Sequence, residues 1–307
     1  MRVATIDIGT NSVLLLVAEV TAGGEAKAVL ERATITRLGQ GVDQTRRLAP
    51  EAVARTRACL ESYADEVKRA GAERVRIVGT SALRDAAGSD ELRAMVEARF
   101  HAPLEVISGG DEARLTFEGA LAGLPARASE VVVFDIGGGS TEVVQGISTA
   151  RGPRISFAES VDLGSVRLTE RHLRSDPPAA GELEALRADV RRGLARLPPL
   201  RCDYPVGIAG TMTTLAAVAR AIVPYEGERV HGATLERNEI EATAEQLRSV
   251  PVATRRNLPG MEPKRADVIV AGAELALLVL DHLGANGVVI SDRGVRWGLA
   301  LDLGRQP

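Results

Sequence analysis

The sequence is poor in groups that stack, poor in groups that cross-link and has no run fit to cross a bilayer. Aromatic residues are 3% of its 307 positions, so a platform for stacking bases is not expected. Cys59 and Cys202 are its two cysteines, which fits a reduced cytoplasm better than a disulfide framework. His101, His172, His231 and His282 are scattered without metal-ligand spacing. The N-terminus lacks a basic region and carries Asp7 inside its first apolar stretch, unlike a signal peptide. The longest helical apolar run, Ala266 to Leu283, contains Asp267, Glu274 and Asp281, so no membrane span is expected. These three acids recur at every seventh residue and are expected on its wet face. A formal net charge of −3 argues against a nucleic-acid partner. Lysine occurs only at Lys27, Lys68 and Lys264. Positive charge is therefore nearly all arginine, a compositional bias that also suits bidentate contacts to phosphate.

What the chain does have is a glycine turn between two β-rich runs. Val131 to Val144 reads Val-Val-Val-Phe-Asp-Ile-Gly-Gly-Gly-Ser-Thr-Glu-Val-Val, that is, strand, tight turn, strand. Gly137, Gly138 and Gly139 put no Cβ in the way of an anion, and Ser140 and Thr141 add hydroxyl donors. Asp135 at the strand tip would repel phosphate unless a divalent cation lay between. An ordinary glycine-rich hairpin would read the same. The weight against that reading is a second copy: Val3-Ala-Thr-Ile-Asp7-Ile-Gly-Thr-Asn-Ser12 precedes the β-rich run Val13 to Val17. Two copies a domain's length apart mean two domains of one plan, with a cleft between lobes that grips a polyphosphate from both sides. Each turn leads into a strand rather than a helix, so neither a Walker sequence nor a Rossmann fingerprint is present.

In chain order, residues 2–36 read as three strands with a turn at Thr21 to Glu25. The periodicity predicts a helix over 51–70 stopped by Gly71. A short strand at Val75 to Val78 leads into a helix that Ser81 would cap and whose first turn holds Arg84. Either an anionic partner or plain solvation accounts for that arginine. The strand Leu104 to Ile107 leads into a helix with Glu112 in its first turn, where a carboxylate is also favoured by the dipole alone. If the sheet is parallel there, Glu112 shares an edge with the two aspartates. Gly123 to Ser129 is the connector that should hold the domain boundary. Three further strands follow; Asp162 to Thr169 then turns into a helix interrupted at Ser175 to Pro178, and an amphipathic helix runs over 182–197. Val206 to Leu215 passes from strand through Gly210 into a helix, which either binds phosphate or simply turns tightly. Pro224 to Ala233 is loop-like, and a last strand at 287–291 precedes a final helix able to pack on the first lobe.

Six stretches then carry a resemblance: Asp7-Ile-Gly-Thr-Asn-Ser12, Gly79-Thr-Ser-Ala-Leu-Arg84, Ser108-Gly-Gly-Asp-Glu-Ala113, Asp135-Ile-Gly-Gly-Gly-Ser-Thr-Glu142, Ser160-Val-Asp-Leu-Gly164 and Gly207-Ile-Ala-Gly-Thr211. In this order they resemble the exopolyphosphatase and guanosine pentaphosphate phosphohydrolase family, in its short two-domain form. The resemblance implies an α/β fold of two duplicated actin-like (ribonuclease H-like) lobes with a phosphate-binding cleft. Lobe I would span 1–124, completed by the helix at 294–307, and lobe II 125–293. It also implies that Glu112 is the general base and Asp135 the metal-associated catalytic acid. Asp7 and Glu142 would join Asp135 at a Mg²⁺ or Mn²⁺ ion. Thr10, Asn11, Ser12, Arg84, Gly138, Gly139, Ser140 and Thr141 would bind phosphate, and Gly210 and Thr211 match the superfamily's adenosine-side turn.

The activity implied is release of terminal phosphates from inorganic polyphosphate, with short chains preferred because the longer members' further domains are not matched. A cytoplasmic homodimer is expected, binding neither nucleic acid nor membrane. Three other readings use the same turns: a guanosine pentaphosphate phosphohydrolase, an actin-like kinase and a non-catalytic phosphate sensor.

Overall fold

The computed structural model describes residues 1–21, 25–125, 130–149, 152–202 and 204–306. Residues 22–24 of the expected first turn and 126–129 of the connector lie outside them. The chain forms two compact units, Met1–Ala122 with Gly294–Pro307, and Gly123–Arg293.

The first unit begins with three antiparallel strands, β1 (Arg2–Ile8), β2 (Ser12–Val20) and β3 (Ala26–Ile35). A short helix α1 (Val42–Thr45) leads to α2 (Pro50–Ala70). The latter starts on Pro50 and stops at Gly71, whose φ of 68° provides the left-handed cap. Strand β4 (Arg74–Gly79), helices α3 (Ser81–Asp85) and α4 (Asp90–Phe100), strand β5 (Leu104–Val106) and helix α5 (Gly109–Leu121) follow. The sheet order is β3-β2-β1-β4-β5, with β1, β4 and β5 parallel.

The second unit repeats this plan. Strands β6 (Val131–Ile136), β7 (Thr141–Thr149) and β8 (Gly152–Val161) are antiparallel. Helices α6 (Ser165–His172) and α7 (Ala180–Leu194) precede β9 (Val206–Ile208), then α8 (Ala209–Ala219), α9 (Gly227–Val230), β10 (Thr234–Glu236), α10 (Arg237–Arg248), α11 (Val252–Arg255), α12 (Ile269–Leu283) and β11 (Gly287–Ile290). The order β8-β7-β6-β9-β11, with β6, β9 and β11 parallel, matches the first sheet strand for strand, and β10 is added antiparallel at the edge. This is the duplicated α/β plan expected of actin-like lobes.

The last helix, α13 (Val295–Arg305), belongs to the first unit. Its Trp297, Ala300 and Leu303 pack with Val3, Leu16, Ala18 and Val20 of β1 and β2. Its Val295 and Leu299 join Val78, Ile107 and Leu115. Gly298 lies on the backbone of Leu115 in α5, too close to admit a Cβ.

One expectation fails in α12. Asp267 lies before the helix and is half-buried; of the two acids within it, Asp281 is exposed, but Glu274 is only 2% exposed. Arg187 donates to both of its oxygens at 2.7 and 3.1 Å, and Arg248 adds a bond at 3.0 Å. The seventh-residue spacing places the acids on one stripe, yet arginines from α7 and α10 cover its middle.

Candidate active site

In each unit the parallel strands end at one sheet edge, and the segments leaving that edge carry the residues singled out above. This is the edge where open α/β sheets bind ligands.

In the first unit, Asp7 stands near the end of β1, opposite Leu14 on β2 and Val78 on β4. The turn that follows is closed by the Gly9 N–H donating to the Ser12 carbonyl at 3.0 Å. Its outer side is fastened by Gly39, whose N–H donates to the Thr10 carbonyl, and by the amides of Thr36 and Arg37, which donate to the Asn11 carbonyl. Asn11 is 6% exposed, and its amide oxygen and nitrogen find no hydrogen-bond partner among the described residues. Leaving such groups unmet costs roughly 1–3 kcal/mol; a phosphate oxygen could accept from the amide nitrogen, and a donor or cation would be needed at the amide oxygen.

From the end of β4, Thr80 rather than Ser81 occupies the position before α3, and the Ser81 hydroxyl donates to Asp85 instead. Helix α3 is a single turn, and Arg84 sits in its last residues. Arg84 Nη1 donates to Glu112 Oε2 at 2.7 Å and to the Ile107 carbonyl at 3.2 Å. Glu112 is fixed from its own side by α5. Ser108 caps that helix by accepting from the Asp111 N–H, and the Glu112 N–H donates to the Ser108 carbonyl. The result is a carboxylate buried in a first helical turn, favoured there by the helix dipole and paired with an arginine.

In the second unit the register puts Asp135, Glu142 and Ser160 side by side on β6, β7 and β8, hence on one face. Glu142 is 2% exposed and accepts from Ser160 Oγ at 2.6 Å. Among the described residues no group of three or more His, Cys, Asp or Glu is placed to hold a metal; Asp135 and Glu142 are a neighbouring pair, and Asp7 lies in the other unit.

The glycine turn between β6 and β7 is closed by the Gly137 N–H donating to the Ser140 carbonyl at 3.0 Å. Ser140 and Thr141 are both buried, and the Thr141 hydroxyl gives its proton to the Leu163 carbonyl at 2.7 Å. At the β9 edge, Ala209 takes a left-handed φ of 67° and α8 begins. The Arg265 guanidinium lies directly on Gly210, and Thr211 packs against Gly272 of α12. Burial disfavours charge on Arg265 and lowers its pKa, with the Glu262 carboxylate opposing.

Three features of these sites are not readable from the sequence: Ser160 beneath Glu142, Arg265 over Gly210, and Arg167 against the glycine turn. Ser160 and Arg167 sit within or just beyond the quoted Ser160–Gly164 motif. Proximity in sequence is the one signal available for them; Arg265 has none.

The model of the Ppx/GppA phosphatase family matches residues 16–306. Exopolyphosphatase 2 of Mycobacterium tuberculosis is 42% identical, with 98% of each chain covered. Among solved structures, an exopolyphosphatase-like protein superposes with a TM-score of 0.92 at 33% identity over 99% of this chain and 98% of its own. The Aquifex aeolicus member of the Ppx/GppA family gives 0.82 at 33% identity, covering 99% and 97%. With one model spanning nearly the whole sequence and a relative this similar over its full length, the chain belongs to the Ppx/GppA phosphatase family.

Proposed function

We propose that the chain is an exopolyphosphatase, removing terminal phosphates from inorganic polyphosphate and releasing orthophosphate. The observation that carries this reading is the buried Glu112 carboxylate, held by Arg84 at the end of β5, in a chain so similar to a protein named exopolyphosphatase 2. In this mechanism Glu112 accepts the proton of the attacking water. Arg84 donates to phosphate oxygen as well as to Glu112, so substrate draws on the cation that otherwise pairs with the base. The turns at Thr10–Ser12 and Gly138–Ser140 hold phosphate oxygens through backbone and side-chain donors, while the Thr141 hydroxyl is committed to the Leu163 carbonyl. Because the transition state is loose, such positioning and charge stabilisation make up most of the catalysis.

Asp135 and Glu142 suit Mg²⁺, or Mn²⁺, which binds through one or two carboxylates and substrate phosphates rather than a full protein cage. Asp7 is the corresponding carboxylate of the first unit. When bound, the ion neutralises charge on the phosphates; Ser160 keeps the Glu142 carboxylate oriented for it. Arg265 favours polyphosphate over guanosine pentaphosphate, since a base placed on Gly210 would have to displace that guanidinium. We also read the protein as cytoplasmic, in keeping with the free thiols Cys59 and Cys202, and as a homodimer, which sedimentation of the purified chain tests.

Orthophosphate release should be followed with short polyphosphate, long polyphosphate and guanosine pentaphosphate, each with and without Mg²⁺. Release from polyphosphate is expected, fastest per end on short chains and abolished by chelation. Glu112→Gln should lower turnover by roughly 10²–10⁴ while leaving binding intact. Wild-type turnover by that variant would remove Glu112 from the role. Release mainly from guanosine pentaphosphate would move the assignment to that substrate, and acceptor-dependent ADP formation without phosphate release would make the chain a kinase.

A further inference from the structure

We propose that Arg167 is a positioning residue for phosphate binding, acting through the glycine turn between β6 and β7; the proposal rests on the polyphosphate reading above. The three glycine carbonyls of that turn all point the same way, into the start of α6. The Gly137 carbonyl accepts from the Ser165 N–H at 2.9 Å and from the Ser165 hydroxyl at 3.3 Å. The Gly138 carbonyl accepts from the amides of Val166 and Arg167 at 2.9 and 3.1 Å. The Gly139 carbonyl accepts from Arg167 Nε at 2.6 Å.

A trans peptide unit is planar, with its C=O and N–H on opposite sides, and the peptides of this turn are trans. Each carbonyl drawn toward α6 therefore turns the N–H of its own peptide unit the other way. Those N–H groups belong to Gly138, Gly139 and Ser140, the positions assigned to phosphate. The first amides of α6 are committed to the glycine carbonyls, so this helix start serves as the fastening for an anion cradle one layer further out. The fastening is close: Gly164 touches the Gly138 carbonyl and leaves no space for a Cβ.

The three attachments differ in one respect. The Gly137 and Gly138 carbonyls are held by backbone donors, which almost any sequence would supply. The Gly139 carbonyl, and with it the Ser140 N–H, is held by a side chain. Arg167 is well suited to hold it, being 6% exposed, with an Nε–H fixed in a rigid plane. Its Nη2 lies 3.8 Å from Asp162, whose side chain is 79% exposed. That long, solvated contact is weak beside the short bond to the turn.

The test compares wild type, Arg167→Met and Arg167→Lys by two readouts. The first is the shift of the Gly138, Gly139 and Ser140 amide resonances on titration with orthophosphate. The second is kcat and KM for orthophosphate release from polyphosphate, with thermal unfolding recorded alongside. Arg167→Met should keep the Gly138 response and lose that of Ser140. Its kcat should fall roughly 10- to 100-fold, as when one preorganised donor is disturbed, with KM within about threefold. Arg167→Lys, which keeps charge but not the planar Nε–H, should fall between.

A Met variant with wild-type kcat and an intact Ser140 response overturns the proposal. So does a uniform loss of all three responses with a lowered unfolding temperature that Lys fails to recover, since that is general structural support. If the Met variant does not fold, the Lys variant decides, and a full Ser140 response with wild-type kcat in it is the overturning result. Wild-type protein that releases no orthophosphate sinks the polyphosphate reading, while the amide shifts still decide the role of Arg167.

Discussion

Asn11 illustrates the conflict between stability and function at the scale of one residue. Its amide is buried with both polar atoms unmet among the described residues, and apolar groups of similar size are better tolerated in such a place. Asn11→Leu is therefore expected to raise thermal stability by about 1 kcal/mol and to weaken substrate binding at the same time. Unfolding temperature and KM for polyphosphate, measured on one preparation, check both halves. A variant that is less stable than wild type would show that the amide is satisfied within the fold. Glu112 and Arg84 solve the same problem differently. Each is a partner for the other at 2.7 Å, so the buried carboxylate is compensated before any substrate arrives. Cys59 shows the opposite case, a reactive group made inert. Burial pushes its thiol above the usual range, against hydrogen bonds from Thr34 and Tyr63.

Between elements, Asp189 on α7 ties down the end of α6. It accepts from His172 at 2.8 Å, from Arg171 at 3.1 Å and from Arg192 at 3.0 Å. Partial burial pushes its carboxyl up, but the hydrogen bonds and charges of His172 and Arg171 outweigh that and hold it below the ordinary aspartate range. A lowered carboxyl contributes stability that is fully present above the unfolded-state pKa of about 3.9 and is lost as pH falls through the folded-state value. The gap in unfolding temperature between wild type and Asp189→Asn should accordingly be open at pH 5 and close as pH drops below about 4. A gap that persists unchanged at pH 3 would mean that the clasp does not depend on the charge. Since α6 fastens the glycine turn, this clasp also steadies the site.

The same scale shows what the sequence can reveal. The two aspartate-glycine turns are legible because β-rich runs on both sides leave no helical period, and Gly71 is legible as a stop because only the left-handed region closes α2 there. Helix α4 is not: Leu92, Val96 and Phe100 make a narrow apolar stripe on an otherwise charged segment. Glu274 reads as solvent-facing because its spacing says which side of α12 it takes, not that Arg187 and Arg248 cover that side. The partnerships of Arg84 with Glu112 and of Ser160 with Glu142 join residues 28 and 18 positions apart. Such pairings depend on strand order and register, which no local pattern encodes. The residue types of the site are thus readable, and their mutual support is not.

For the molecule as a whole, the discontinuity of the first unit matters most. Helix α13 supplies Trp297, Leu299 and Leu303 to cores otherwise built from residues before Ala122. Thr5 donates to the Arg296 carbonyl at 2.8 Å, Arg296 pairs with Glu31 at 2.6 Å and Arg305 with Glu118 at 2.8 Å. Each large apolar side chain so buried is worth about 1.5–3 kcal/mol, and together they rival a domain's entire stability of about 5–15 kcal/mol. A chain ending at Arg293 should therefore keep protected amides in β6, β7 and β9 and lose protection in β1 and β2. Hydrogen exchange on the truncated chain reads both. Protection in β1 and β2 equal to wild type would show that the first unit stands without α13.

That arrangement sets an order of events on the ribosome. The usual course is for the leading domain to fold first. Here residues 123–293 are a contiguous unit and leave the tunnel whole, while the first unit still lacks the helix that closes its sheet. The β1–β2 hairpin, with Val3, Leu16 and Val20 bare, must wait through the synthesis of the entire second unit, a period in which chaperone binding or mispairing can occur. The proposed base rides on α5, against which α13 packs. A nascent chain is therefore expected to attack polyphosphate only once α13, residues 295–305, has been made and has left the tunnel.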